Sequence, residues 1–388
     1  MPVVNRLSEF HDEITAWRHD LHRHPEILYD VHRTAGLVAD RLRMFGVDEV
    51  VTGIGRTGVV GVIRGRKGSS GRVVGLRADM DALPITETTG KPYASETPGK
   101  MHACGHDGHT AMLLGAARYL TETRNFDGTA VLIFQPAEEG GAGGKAMVDD
   151  GLMDRFRIEE VYGMHNMPGI PVGHFATRHG AIMASTDEFK ITINGRGGHA
   201  ASPHNTVDPV VVAAAVIQGL QSIVSRNVDP LESAVVSLTR IDAGTASNVI
   251  ADFAKLAGTV RTLRPAIREL VEARLKTMVN AIAEGFGATA EITYKHNYPV
   301  TVNHPAQTTH AVSIAASIVG RERVDGATPP VMGAEDFSYM LEARPGSFIF
   351  IGNGDTPGLH NPGYDFNDAI IPIGCSYWVR LVEETLAA

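Results

Sequence analysis

Apolar positions along the chain follow two different spacings, and their order predicts strands and helices in succession. Short runs rich in Val and Ile predict strands at 58–65, 73–78, 128–134, 161–165 and 346–352. Apolar residues at helical spacing predict two helices between residues 7 and 45, one helix after its N-cap Thr110, and a final helix over about 368–386. Strands that alternate with helices are typical of an α/β domain with an open sheet.

The pattern changes between about residues 185 and 296. The predicted elements there are a strand, a helix, two strands, a helix and a strand, at 188–194, 208–224, 234–242, 255–262, 265–286 and 291–296. This order matches the split βαβ pattern of a ferredoxin-like α+β domain. We therefore predict a discontinuous α/β domain over 1–184 and 298–388, with a second domain inserted over 185–297.

Composition narrows the class of protein. A length of 388 residues exceeds what one hydrophobic core usually supports, which agrees with two domains. The net charge of −9 argues against a nucleic-acid surface, and two cysteines exclude a disulfide framework and suit a reducing cytosol. No apolar run approaches membrane-spanning length, and charges interrupt the first 19 residues where a signal peptide needs its apolar core. We expect a cytoplasmic protein that binds neither membrane nor nucleic acid.

Residues 101–110 concentrate metal-capable side chains. Their sequence, MHACGHDGHT, holds one thiol, three imidazoles and one carboxylate. Cys104 and His106 are separated by one residue, so in extended or irregular backbone both side chains reach the same point. The alternative is a partly buried turn whose histidines bond to backbone carbonyls. A metal site needs further ligands from distant parts of the chain.

Such residues follow three of the predicted strands. Asp79, the adjacent Glu138 and Glu139, and His165 each stand at the carboxyl end of an apolar run. Open α/β sheets place their ligand sites at this edge. Adjacent glutamates point in different directions, which suits one metal ligand and one free base. His360, in a later loop, is a fifth strong ligand candidate. We assign structural or supporting positions to Asp81, His102 and His109, and leave His22 and His24 out of the site.

Four motifs together resemble the M20 metallopeptidase superfamily: HACGHD at 102–107, FQPAEE at 134–139, LRADMDALP at 76–84 and GGHA at 197–200. More narrowly they are similar to its amidohydrolase branch, which includes hippurate hydrolases, N-acyl-amino-acid amidohydrolases and plant auxin-conjugate hydrolases. The resemblance implies an α/β zinc-peptidase-like catalytic domain with an inserted ferredoxin-like dimerisation or lid domain. Arg77 stands where many relatives outside this branch have their first metal-binding His, so a ligand set copied from those relatives does not apply.

The same resemblance implies a dinuclear metal centre with the ligands Cys104, His106, Glu139, His165 and His360. Glu138 would then be the general acid/base, and Asp79 would orient the ligands from behind. Three imidazoles, a thiolate and a carboxylate suit Zn²⁺, Mn²⁺, Co²⁺ or Ni²⁺ better than Mg²⁺ or Ca²⁺.

The resemblance also implies a homodimer formed through the inserted domain, with His199 reaching the active site of the partner. We add Asn248 and Arg261 as groups that bind the carboxylate or carbonyl of a small substrate, although Arg261 could instead pair with an acid on the domain surface.

The expected reaction is metal-dependent hydrolysis of an N-acyl amino acid of the hippurate kind to a carboxylic acid and a free amino acid, with a metal-activated water. The alternatives are a dipeptidase or aminoacylase that acts on short peptides, an amidase with Cys104 as its nucleophile, and a catalytically silent metal-binding dimer.

Overall fold

A computed structural model describes residues 3–66 and 70–387, which form two compact units. Unit 1 holds the described residues of Met1–Ile182, Thr301–Pro329 and Asp336–Ala388, and unit 2 holds Met183–Val300 and Pro330–Glu335. The sequence analysis put the corresponding boundaries at 184/185 and 297/298.

The bounds of the strands and helices follow in chain order. The strands are β1 Glu49–Ile54, β2 Gly58–Arg64, β3 Val73–Asp79, β4 Thr129–Gln135, β5 Glu160–Pro168, β6 Phe175–Ala176, β7 Gly180–Met183, β8 Ser185–Asn194, β9 Gly198–His199, β10 Ala234–Ala243, β11 Val249–Ile250, β12 Phe253–Thr262, β13 Thr289–His296, β14 Thr301–Asn303, β15 Val324–Asp325 and β16 Gly346–Gly354. The α-helices are α1 Asn5–Glu9, α2 His11–Arg23, α3 His32–Met44, α4 His106–Thr123, α5 Gly143–Asp149, α6 Leu152–Arg155, α7 Pro209–Arg226, α8 Pro265–Gly285, α9 Pro305–Val319, α10 Ser338–Ala343 and α11 Ile371–Thr385. Short 3₁₀ helices cover Pro203–Asn205, Arg321–Arg323 and Asp368–Ile370.

Unit 1 is built on an eight-stranded sheet with the order β1-β2-β4-β3-β5-β16-β6-β15. Its central strands β4, β3, β5 and β16 pair in parallel, so their carboxyl ends lie at one edge. The alternating side chains of strand β3 show how polar residues reach this edge. Leu76 and Ala78 enter the main core, while Arg77 and Asp79 point to the opposite face.

Helix α4 begins earlier than the sequence pattern predicts. Thr110 was expected to cap it, but the helix starts at His106, directly after Gly105. The Thr110 hydroxyl instead donates to the carbonyl of Asp79 at 2.8 Å, from within the first turns of the helix. The N-cap prediction was therefore wrong, because this threonine bonds to the neighbouring strand rather than to its own helix.

Unit 2 confirms the ferredoxin-like prediction. Its sheet has the order β10-β12-β8-β13, and every neighbouring pair is antiparallel. Counted along the chain, the four long strands stand in the spatial order 2-3-1-4, with α7 and α8 as the two crossover helices. The sequence pattern missed β9 and β11, which have two residues each and pair with one another.

Helix α7 corrects the expectation that no apolar run reaches membrane-spanning length. It has 18 residues and a mean hydropathy of 1.3, and by length and composition alone it fits a membrane span. Its buried side chains, which include Val212, Val216 and Leu220, pack into the core of unit 2. A core helix of a soluble domain meets the same criteria.

Candidate metal centre

The parallel strands of unit 1 bring three predicted site segments to one edge of the sheet. Asp79 is the last residue of β3, and His165 lies in the last half of β5. Glu138 and Glu139 follow the end of β4 in a turn that begins with Ala137 at φ +55°. The left-handed backbone of a non-glycine residue costs free energy, and such residues are concentrated at functional sites.

The segment with Cys104 and His106 is tied to the loop that carries His360. The backbone N–H of His360 donates to the carbonyl of Ala103 at 2.8 Å. His360 itself has φ +63°, again a left-handed conformation. Gly105 has φ +89°, and a Cβ at this position would lie 2.2 Å from Oδ1 of Asn166. Only glycine fits this turn between the two predicted ligands.

The five predicted ligands lie together in unit 1. Sγ of Cys104 is 3.4 Å from Nε2 of His165, and Oε1 of Glu139 is 3.2 Å from Nε2 of His360. Nε2 of His106 lies 4.0 Å from the same glutamate oxygen. These separations are compatible with ligands around shared cations, and the side chain of His360 closes the group from the solvent side, where it is 54% exposed.

Two of the imidazoles have a fixed orientation. Nδ1 of His106 donates to the carbonyl of Asp81 at 2.8 Å, and Nδ1 of His165 donates to the carbonyl of Asn166 at 2.6 Å. A carbonyl oxygen only accepts, so each Nδ1 carries hydrogen and Nε2 is the atom that faces the cluster. Nε2 of His106 is buried and has no hydrogen-bond partner within the described residues. A buried polar atom of this kind requires an explanation, and a metal ion at this point supplies one.

The charges around these ligands also fit cations. Burial alone would lower the pKa of His106, but Asp79, Asp81 and Glu139 raise it to about 10. Burial, Glu139 and Glu138 raise the pKa of the Cys104 thiol well above its usual range. The same excess of negative charge that holds a proton on His106 stabilises a divalent cation, which would also compensate a Cys104 thiolate.

Asp79 lies behind the ligands and is held by cationic or donor groups on both oxygens. Its Oδ1 is 2.6 Å from Nδ1 of His109, and its Oδ2 accepts from Nη1 of Arg77 at 2.7 Å. Oδ2 is also 3.6 Å from Nε2 of His106. Burial would raise the pKa of Asp79, but His106, Arg77 and His109 hold it well below its usual range. Asp79 is therefore a buried carboxylate that is hydrogen-bonded to His109 and lies close to the Nε2 side of His106.

Arg77 lies with Asp79 behind the predicted ligands and is not itself one of them. Its fully buried guanidinium donates to Gln135 Oε1 at 2.9 Å and to Asp336 Oδ1 at 3.1 Å, in addition to Asp79. His109 is enclosed in the same way, with Nε2 2.7 Å from Oδ1 of Asn166. Burial lowers the pKa of His102 to about 3, which keeps this imidazole neutral.

Asp81 has a more specific position than the sequence analysis gave it. Its two carboxylate oxygens accept the backbone N–H groups of Glu138 at 2.9 Å and Glu139 at 3.1 Å. It therefore fixes the turn that presents the glutamate pair. The only sequence signal was its place two residues after Asp79, because the contact itself joins residues 57 and 58 positions apart.

The two glutamates do point in different directions. Glu139 lies with Cys104 and His106 in one group of possible ligand atoms, all within 4.8 Å of one another. A carboxylate oxygen of Glu138 belongs to a different group and lies within 4.8 Å of an oxygen of Asp336. Glu138 remains close enough to Cys104 for its charge to contribute to the raised pKa of the thiol.

In unit 2, His199 and Asn248 are neighbours. His199 in β9 pairs with Val249 in β11, and Ala200 N–H donates to the carbonyl of Asn248 at 3.0 Å. Nδ1 of His199 accepts the N–H of Ala201 at 3.0 Å, so the neutral imidazole carries its hydrogen on Nε2. The exposed His199 is thus prepared to donate one hydrogen bond.

Arg261 does not join this pair within unit 2. It lies opposite Thr186 in the ladder between β12 and β8, whereas Phe253 at the other end of β12 lies opposite Asn194, just before β9. The distance along the strand from Phe253 to Arg261 is about 26 Å at roughly 3.3 Å per residue. The guanidinium bonds locally, to the carbonyl of Val260 at 3.1 Å and to the Thr259 hydroxyl.

Comparisons with known proteins agree with this geometry. Residues 75–384 match the model of the family described as Peptidase family M20/M25/M40. The chain is 42% identical over 381 residues to a hippurate hydrolase of Campylobacter jejuni, with 98% of each chain covered. It is 39% identical to an N-acetylcysteine deacetylase of Bacillus subtilis, with 96% of each covered. It is similar to the crystal structure of a dinuclear metal-binding peptidase of the M20 family from Bacillus subtilis, with 36% identity, a TM-score of 0.84 and coverage of 98% of this chain and 99% of that chain.

Proposed function

Because the chain belongs to the peptidase family M20/M25/M40, in its amidohydrolase branch, we propose that it hydrolyses the amide bond of N-acyl amino acids. The products are a carboxylic acid and a free amino acid. The cofactors are two divalent metal ions, held by Cys104, His106, Glu139, His165 and His360. The observation that carries this proposal is the buried Nε2 of His106, which lacks a hydrogen-bond partner in the described structure and faces a cluster of thiol, imidazole and carboxylate groups.

When bound, the two cations would supply a water of lowered pKa and a Lewis acid for the substrate carbonyl. Glu138 would accept a proton from the attacking water and later deliver it to the departing amine nitrogen. Glu139 is unsuited to this task, because its carboxylate faces His106 and His360. Asp79, held by Arg77, orients the imidazole of His109 behind the proposed ligands.

We propose that unit 1 is the catalytic domain and unit 2 the dimerisation domain of a homodimer. Two features of unit 2 support this. Strand β10 stands at the end of its sheet, and the outer side of α7 exposes apolar residues that include Val210, Val211 and Val224. Edge strands and exposed apolar helix faces are both frequent sites of self-association. In the dimer, His199 would donate from Nε2 to the substrate oxyanion in the site of the partner, with Asn248 beside it. Arg261, at the far end of β12, is the third proposed substrate group and would contact the substrate separately from His199 and Asn248.

The environment of Cys104 disfavours a cysteine-nucleophile amidase. A nucleophilic cysteine needs a lowered pKa, whereas burial and carboxylates raise the pKa of this thiol. A reducing cytoplasm, which we propose as the location, suits the two free cysteines of the chain.

Metal removal and substrate range test the function directly. Purified protein is treated with a chelator, then assayed with added Mn²⁺, Co²⁺, Ni²⁺ or Zn²⁺ on benzoyl-glycine, acetyl-amino acids, indole-acetyl conjugates and short peptides. We expect activity on N-acyl amino acids that chelation abolishes and metal restores. Chelator-resistant hydrolysis would favour the cysteine nucleophile, hydrolysis of peptides alone would favour a dipeptidase, and no turnover of any substrate would favour a silent metal-binding protein.

A further inference from the structure

Arg18 on α2 is a fully buried cation outside the proposed ligand set. Its Nε and Nη2 bond to the two carboxylate oxygens of Asp368 at 2.8 and 2.9 Å. Its Nη1 lies 3.6 Å from Oδ2 of Asp107 and 3.8 Å from Oδ1 of Asp365. One guanidinium therefore faces three carboxylates.

These carboxylates border the two chain segments that carry proposed ligands. Asp107 directly follows His106 in the first turn of α4. Asp365 and Asp368 follow His360 by five and eight residues. The segment of His106 and the segment of His360 are thus both attached to the same side chain of a third element, α2. None of the three acids is itself a proposed ligand.

Neighbouring residues reinforce this attachment. His22, one helical turn after Arg18, lies 2.8 Å from the same oxygen of Asp107. The Arg18 guanidinium lies 4.4 Å from the centre of the Tyr93 ring, and the Tyr93 hydroxyl donates to Asp365 at 3.0 Å. The guanidinium is therefore held in place by a ring on one side and by acids at its edges.

The shape of the side chain matters as much as its charge. Arginine offers five donors in a rigid plane, so it can bind Asp368 through two atoms and face two other acids with the third nitrogen. A lysine ammonium is a single point that cannot reproduce this. Loss of the cation would leave buried carboxylates without compensation, and such segments move apart or take up water.

We propose that Arg18 is a positioning residue of the metal centre, which sets the separation between the Cys104 and His106 segment and the His360 loop and thereby the affinity for metal. This inference depends on the metal centre of the proposed function, but not on the substrate. It predicts that Arg18 acts on metal binding without contact with metal or substrate.

The test measures metal binding by absorption. Apo wild type, Arg18→Met, Arg18→Lys and Arg33→Met are titrated with Co²⁺, and the charge-transfer band of thiolate-bound Co²⁺ reports occupancy at Cys104. Arg33 is the matched control, because it binds both oxygens of Asp20 on α2 but lies at the surface. We expect the Co²⁺ midpoint of Arg18→Met to rise about 10- to 100-fold, the usual range for residues behind metal ligands. The Co²⁺ midpoint of Arg18→Lys should lie between those of Arg18→Met and wild type, and the midpoint of Arg33→Met should equal that of wild type.

Activity gives a second readout. Saturating metal should return kcat of the Arg18 variants to near the wild-type value, because bound metal would draw the two ligand segments back to their wild-type separation at the expense of affinity. An Arg18→Met protein that folds, as judged by circular dichroism, and binds Co²⁺ like wild type would overturn the proposal. If that variant does not fold, unchanged Co²⁺ midpoints in both Arg18→Lys and Asp368→Asn would overturn it. Absence of the thiolate band in wild type would instead refute the metal centre itself.

Discussion

A proton and a divalent cation compete for one place beside His106. Burial disfavours the imidazolium form, yet Asp79, Asp81 and Glu139 raise the pKa of this residue to about 10. Its Nδ1 is engaged by a carbonyl, so any further cation must approach Nε2. The surrounding carboxylates thus stabilise a positive charge at His106, and the hydrogen bond at Nδ1 leaves Nε2 as the atom that binds it.

Glu138 provides the first prediction at this scale. Glu138→Gln keeps the shape of the side chain but cannot take a proton from water, so we expect kcat to fall about 10²- to 10⁴-fold. Metal content, measured by mass spectrometry, should stay that of wild type, because Glu138 is not among the proposed ligands. A variant with near wild-type kcat would contradict the assignment, and a variant that loses metal would make Glu138 a ligand.

His22 provides a prediction on stability and pH. Burial alone would lower the pKa of His22, but Asp107 and Glu87 raise it from 6.5 to about 9 in the folded protein. A raised pKa contributes stability that is present in full below pH 6.5 and is lost as pH rises through 9. The contribution amounts to about 3 kcal/mol at most.

Urea unfolding of the chelator-treated, metal-free protein measures this pH dependence of stability. The difference in free energy of unfolding between wild type and His22→Gln should be largest near about pH 6 and should shrink by up to about 3 kcal/mol towards about pH 10. His24→Gln is the control, because His24 is partly exposed and its Nδ1 bonds to the carbonyl of Asp20 in the helix α2 that it follows. A difference that does not change with pH would show that His22 is not charged in the folded protein.

Residue chemistry explains which site residues the sequence could predict. Cys104, His106, the pair Glu138 and Glu139, and His165 are metal-capable groups that stand beside glycines or at the ends of apolar runs, so local sequence was enough to make them candidates. The family resemblance, not the local sequence, assigned Glu139 as the ligand of the pair. Arg18 offers no such signal. Its role depends on Asp368, 350 positions away, and pairing over that separation is not visible in local sequence.

At the scale of elements, the start of α4 decides where two proposed ligands lie. The sequence pattern placed this start at Thr110 because threonine is a good N-cap, but Gly105 takes the position with φ +89°. The turn is determined by packing against Asn166 and Tyr364, which are distant in sequence. Periodicity therefore predicted the helix but not its first turn.

Gly105→Ala tests this turn. An added Cβ would lie 2.2 Å from Oδ1 of Asn166 and 2.6 Å from the hydroxyl of Tyr364, on a backbone that disfavours any side chain. We expect a loss of stability of more than about 1 kcal/mol and a rise of the Co²⁺ midpoint of about 10-fold or more. Gly36→Ala, in α3, is the control, since nothing lies within 4 Å of its added Cβ. That variant should gain stability of about 0.5 to 1 kcal/mol. Unchanged Co²⁺ binding in Gly105→Ala would show that the ligands do not depend on this turn.

At the scale of the whole molecule, the succession of strand and helix patterns was enough to predict an α/β fold with a ferredoxin-like insertion. Most long elements carry their own periodicity, although the helix α9, Pro305–Val319, was not predicted, and the change in element order near residue 185 indicates the insertion. The pairing of β9 with β11 was not predictable in the same way, since two-residue strands have no periodicity. That pairing is what sets His199 next to Asn248.

The proposal that His199 acts in the active site of the partner subunit leads to a prediction about mixtures of two variants. His199→Ala removes a donor to the oxyanion and should lower kcat about 10²- to 10³-fold. If His199 serves the partner, a heterodimer of His199→Ala and Glu138→Gln chains contains one site with both groups intact. The other site of that heterodimer lacks both.

Complementation therefore distinguishes action in the partner from action in the same chain. The two weakly active variants are unfolded together, refolded, and assayed against each variant refolded alone. Random pairing makes half of the dimers heterodimers, so activity should recover to about a quarter of wild type if His199 acts across the interface. If His199 acts within its own chain, every site in the mixture lacks one group and activity stays at the level of the single variants. Light scattering on the same mixture measures its molar mass and so tests whether the protein is a dimer. A monomeric protein cannot form heterodimers, so activity could not recover whatever the role of His199.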